Sequence, residues 1–228
     1  MTTPDPSRAD LNRRRILDVA LAELLRNPDA SMDQIARAAG VVRRTVYGHF
    51  PSREALISTL LDGAVEAVAA ANAAGLKSVA DPEESLVRST LAVWEVADRY
   101  RILVALAQRS VTVQGIRDRL APVREASVEM IQLGLDQGVF TSPLSARALT
   151  YLHEQMLIAL MEAVNDGLLD ADAAGPAAAV SMLTVSGVPA SRTAELVANL
   201  SAGNERRESA AEDGAGLPSW TPAATGPS

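Results

Sequence analysis

The stretch Ser31 to Phe50, SMDQIARAAGVVRRTVYGHF, limits what this chain can build more than any other part of it. Ser31 has the character of a helix N-cap, because its hydroxyl can accept a hydrogen bond from an orphan backbone N–H two or three residues on. Met32 to Ala39 follows without a breaker, and Ile35 and Ala39 share a face at a spacing of four. Gly40 stands where the helix must turn, a position that calls for positive φ. A second helix is expected from Val42 or Arg43. Ala36 is small enough to let that helix approach, Gly40 makes the corner, and Val46 supplies the apolar plug between the two. Small residue, glycine and aliphatic at these intervals is the packing rule of a helix-turn-helix, which lays its second helix in the major groove of DNA. On this reading Val46, Ile35 and Phe50 belong to the core.

The flanking residues narrow the reading. Thr45-Val46-Tyr47-Gly48-His49-Phe50, then Pro51-Ser52, then Arg53-Glu54-Ala55-Leu56, resembles the end of the recognition helix and the start of the next helix in TetR-family repressors. Upstream, Arg15 to Leu25 (RILDVALAELL) is similar to the first helix of that family. The likeness runs from about Arg13 to Leu60 and is only architectural beyond. It implies an all-α protein. A three-helix amino-terminal DNA-binding domain would be followed by a larger helical domain for ligand binding and dimerisation. Two positions depart from the pattern. Val42 occupies the place of a small polar N-cap, at a cost of about 1 kcal/mol to the recognition helix. Gly48 lies inside that short helix, with a penalty of similar size, and offers DNA no side chain.

Charge is divided along the chain. The formal net charge is −7. Residues 1–53 carry nine arginines against six acids, a balance of +3, whereas residues 54–228 carry twelve cations and 22 acids, a balance of −10. A basic module on an acidic body is the asymmetry expected when one end meets phosphate, although Arg13, Arg14 and Arg15 can equally form an ordinary solvated face. Hydrophobic residues make up 48% of the chain and aromatics only 3%, which favours packed helices over a sheet. Cysteine is absent, which excludes disulfides and thiolate chemistry and fits a cytoplasmic setting. The first ten residues lack the apolar core of a signal peptide, and no uncharged apolar run is long enough to predict a membrane span.

The periodicity predicts a first helix over 8–26, with Leu17, Ala20, Leu21, Leu24 and Leu25 as its stripe. A fourth helix is expected over 53–74, ended by Gly75, and a fifth over 82–99, with Leu86, Thr90, Trp94 and Ala97 on one side. Further helices are expected over 101–110, 116–137, 143–166 (started by Ser142-Pro143), 176–186 and 191–200. The helix over 143–166 carries apolar residues on more than one face, so one side should meet its own domain and the other a partner subunit. Residues 201–228, rich in Gly, Ala, Ser and Pro and holding Trp220, read as a disordered tail, as do 1–7 as a loose arm. The domain division is therefore 8–53 for DNA binding, 54–80 for a connecting helix and 81–200 for ligand binding and dimerisation.

The resemblance implies roles for particular residues. Tyr47, His49 and Arg53 would meet phosphates, and Ser31 would offer its hydroxyl and backbone N–H to another. Arg43, Arg44 and Thr45 would reach base edges, where arginine can bond guanine O6 and N7 together. The plain alternatives are that Tyr47 packs, His49 bonds a backbone carbonyl and Arg44 faces solvent. In the larger domain Trp94, Tyr100, Leu103, Met130, His153 and Met156 would enclose a small effector, or else form plain core. The scarcity of aromatics favours an apolar effector. In the family, ligand binding tilts helix four and changes the spacing of two DNA-reading modules. One short helix reads few base pairs, so a homodimer on a palindromic site of double-stranded DNA is expected, with no cofactor or metal. An enzyme is disfavoured by two distant histidines, no cysteine and no phosphate-cradling loop. The other alternative is a helical interaction or sensor protein whose helix-turn-helix no longer binds DNA.

Overall fold

The computed structural model describes residues 7–77, 81–110 and 113–200. The expected arm (apart from Ser7) and the expected tail with Trp220 lie outside them. Among the described residues the fold is all-α, with ten helices and no strand. These are α1 Arg8–Arg26, α2 Met32–Ala38, α3 Arg43–His49, α4 Arg53–Lys77, α5 Pro82–Ser110, α6 Val113–Arg119, α7 Ala121–Asp136, α8 Ala146–Asn165, α9 Ala171–Val185 and α10, residues 190–200. No helix among the described residues is long and apolar enough to cross a membrane.

Two compact units divide the chain. Among the described residues, one gathers those up to Gly63 together with Ile102–Gly115, and the other gathers Ala64–Arg101 and residues 116–200. In the first unit, α1 is closed at its start by a capping box in which Ser7 and Asp10 satisfy each other's backbone N–H. Ile16, Leu17, Ala20 and Leu24 are its buried residues, while Leu21 and Leu25 are only half-buried. Ile35, Ala36, Val46, Phe50, Leu56, Ile57 and Leu60 are also buried in this unit. The burial of Ile35, Val46 and Phe50 matches the sequence reading.

In the second unit α7 packs on α8 and α8 on α9. One cluster joins Leu86 and Val87 of α5, Ile131 of α7, Leu149 of α8, Met182 and Leu183 of α9 and Leu196 and Val197 of α10. A smaller one holds Trp94, Ala97, Met161 and Ala174. The expected side of α5 is buried throughout, at Leu86, Thr90, Trp94 and Ala97.

Several expected boundaries are corrected. Helix α5 runs unbroken through residues 99–101, where Arg99-Tyr100-Arg101 contains no breaker. Helix α4 continues past Gly75, which abuts α5: a Cβ there would stand 2.4 Å from the Ser89 Cα. The single helix expected over 116–137 is two, because Pro122 in the first turn of α7 has no N–H to continue the ladder. Helix α8 is capped by Ser145, whose side chain accepts from the Ala148 N–H, rather than by Ser142. Helix α9 starts at Ala171 and carries Gly175-Pro176 inside it. A Cβ on Gly175 would stand 2.9 Å from Trp94 Cδ1, so helix and indole pack too closely for any larger residue.

Candidate nucleic-acid interface

The corner between α2 and α3 is built as its residues require. Ser31 Oγ accepts from the Gln34 N–H, and the Gln34 side chain accepts from the Ser31 N–H at 2.8 Å, a complete capping box. Helix α2 ends in a Schellman motif, with Gly40 N–H donating to Arg37 O and Val41 N–H to Ala36 O. Gly40 has φ +64°, and a Cβ there would also stand 3.1 Å from Arg15 Nη2. Val42 stands at the N-cap of α3 with no side-chain hydrogen bond and is 67% exposed, so this helix starts without a side-chain cap. Val46 is fully buried beneath it. Phe50 is buried at its end, with the Arg13 guanidinium 5.3 Å from the ring centroid.

The outer face of α3 is what remains. Arg44 is exposed, Thr45 and His49 are half-buried, and together with Gly48 they line a shallow open depression. Tyr47 is exposed, and its ring carries the Arg43 guanidinium 5.0 Å from its centroid. Arg43 Nη2 also donates to the Tyr47 hydroxyl at 3.4 Å, and Arg43 Nη1 donates to Asp33 Oδ2 on α2 at 3.0 Å. Asp33 entered the sequence reading only as a unit of charge. Its pairing with a residue ten positions on depends on the angle between α2 and α3, for which no local pattern exists.

Two expected phosphate contacts have partners inside the protein. Arg53 Nε donates to Ala30 O at 3.1 Å and its Nη2 donates to Pro28 O, which fastens the α1–α2 loop to the start of α4. The Ser31 hydroxyl donates to Gln34 Oε1 at 2.9 Å.

The six residues expected around an effector are distributed over two hydrophobic clusters and two units. Trp94 belongs to the smaller cluster, while Met130 and Met156 lie against the larger one. Leu103 is fully buried in the other unit, and Tyr100 is half-buried. His153 is buried, with Nε2 3.3 Å from the Ser186 hydroxyl at the end of α9. Burial pushes the imidazole down to about 4, against a weaker opposing pull from the Met182 backbone, so it is neutral at physiological pH. It is a satisfied core histidine.

Residues 16–60 match the model of bacterial regulatory proteins, tetR family. Over this module the chain is similar to the TetR family. It is 40% identical over 63 residues to TtgW of Pseudomonas putida, an uncharacterised HTH-type transcriptional regulator, covering 27% of this chain and 47% of that one. It is 40% identical over 62 residues to the HTH-type transcriptional repressor LfrR of Mycolicibacterium smegmatis, covering 26% and 33%. The chain thus spans less than half the length of these curated relatives. In fold it is similar to PfmR, a TetR-family transcriptional regulator from Thermus thermophilus, with a TM-score of 0.62 over 75% of this chain and 97% of that one, at 22% identity.

Proposed function

We propose that this protein is a TetR-family transcriptional regulator that binds double-stranded DNA as a homodimer and represses from a palindromic operator. The observation that carries the reading is the outer face of α3, where Arg44, Thr45 and His49 stand around an open depression with Tyr47 exposed on the same short helix, whose opposite side is anchored by Val46. Arg44 and Thr45 are the base-edge readers in this proposal, and Tyr47 and His49 meet phosphate. Arg53 acts there by holding the α1–α2 loop, and Ser31 by capping α2.

Dimerisation is assigned to α8 and α9. Tyr151 and Leu152 of α8 and Val180 of α9 are 41%, 37% and 41% exposed, an apolar surface on two helices that pack together. Repression follows the function of the relative LfrR. A small effector acting in the cytoplasm is the remaining element, drawn from the family likeness, and the scarcity of aromatics favours an apolar one. The effector can change DNA affinity only by as much as it prefers one conformation over the other.

The test is selection from a randomised duplex pool. Enrichment of an inverted repeat with half-sites about one helical turn apart supports the proposal. Failure to enrich any sequence, with a dimer confirmed by sedimentation, contradicts it. That outcome favours a helical interaction protein, a reading supported by the internal engagement of Arg43 and Arg53.

A further inference from the structure

We infer that Asp33 is a specificity-determining residue that withholds Arg43 from the DNA backbone and thereby lowers sequence-independent binding. The inference rests on the DNA-binding reading of α3. Arg43 is the first residue of the recognition helix, where an unrestrained arginine would sweep toward the nearest phosphate. Here its guanidinium is held by two side chains, Asp33 and Tyr47. Nη1 donates to Asp33 Oδ2 at 3.0 Å, Nη2 donates to the Tyr47 hydroxyl at 3.4 Å, and the cation lies 5.0 Å from the centre of the Tyr47 ring. The other carboxylate oxygen, Asp33 Oδ1, is shielded from solvent and accepts no hydrogen bond among the described residues, so Arg43 is the cation that answers this carboxylate.

The physical consequence concerns discrimination. Sequence-independent affinity grows with the number of phosphates neutralised, whereas base-edge contacts depend on sequence. A carboxylate that neutralises Arg43 within the protein removes one phosphate contact from every duplex alike. It leaves Arg44 and Thr45, on the depression side of α3, to carry sequence choice. Asp33 also holds Arg43 beside Tyr47, whose hydroxyl accepts from the guanidinium.

The experiment is a salt series of fluorescence anisotropy on the full chain with a random-sequence duplex, which requires no knowledge of the operator. The slope of log affinity against log salt counts phosphate contacts at about 0.9 each. Arg43→Gln in the wild-type background is expected to leave the slope unchanged. Asp33→Asn is expected to steepen it by about 0.9, and adding Arg43→Gln to Asp33→Asn should return it to the wild-type value. A brace with a purely structural role would shift the melting temperature and leave all four slopes equal, which overturns the inference. A slope that falls by about 0.9 with Arg43→Gln alone overturns it as well, because Arg43 would then already contact phosphate. If the wild type binds no duplex at low salt, the DNA-binding reading itself fails, an outcome distinct from either of these.

Discussion

At the scale of single residues, Arg53 acts through hydrogen bonds that only the folded loop provides. Its Nε donates to Ala30 O and its Nη2 to Pro28 O, tying together backbone that is distant in sequence. Arg53→Gln is expected to lower stability by about 1–3 kcal/mol, since it leaves carbonyl groups that the fork geometry of a guanidinium satisfied. Chemical denaturation reads this without DNA, and an unchanged midpoint would contradict the assignment. Gly48 is the converse case. A Cβ there meets nothing within 4 Å, and the helix around it gains nothing from glycine. Gly48→Ala should therefore raise stability by about 1 kcal/mol, measured by the same denaturation. For His153 the sign follows from burial. Its folded pKa lies at about 4, below the ordinary 6.5, so its contribution to stability is full above pH 6.5 and is lost as pH falls toward 4. The loss amounts to roughly 3 kcal/mol, and His153→Gln should flatten that part of the pH–stability curve relative to wild type.

Elements were legible where the chain punctuates itself. The start and end of α1, the Gly40 corner and the start of α4 all follow from local caps and breakers, and the structure places them accordingly. Errors arose where a local signal competed with packing. Gly75 reads as a stop, yet α4 continues because glycine is what allows the close approach to Ser89. Ser142-Pro143 reads as a helix start, yet α8 waits for Ser145 while residues 141 and 142 bond to the end of α9: Thr141 and Ser142 N–H both donate to Ser186 O. The candidate site shows the same division. The buried side of the helix-turn-helix follows from spacing and its outer face from the family resemblance, but Asp33 and the loop contacts of Arg53 depend on helix crossing angles that no window of sequence encodes. Close packing also yields a prediction at this scale. A Cβ on Gly134 would stand 2.2 Å from the Phe140 ring, so Gly134→Ala should destabilise the second unit by about 1–3 kcal/mol, read by thermal unfolding. Leu152→Glu combined with Val180→Glu places two charges on the proposed dimer surface. Sedimentation should then show a folded monomer, whereas an unchanged dimer would move the interface elsewhere.

For the molecule as a whole, charge and symmetry decide how the small reading helix can act. The first 53 residues carry a balance of +3 and the remainder −10, so in the proposed function attraction to DNA resides in one module and the rest of the chain opposes indiscriminate contact. A seven-residue recognition helix spans too few base pairs to select one site from a genome, and the proposed two-fold pairing would double what is read. The most direct test of the central claim is anisotropy on a selected inverted-repeat duplex and on its scrambled counterpart, across a salt series, with wild type and Arg44→Ala. Tight binding of one dimer to the selected duplex is expected, with a steep negative salt slope and marked weakening on the scrambled duplex that Arg44→Ala reduces. Equal affinity for both duplexes at every salt concentration would contradict the central claim.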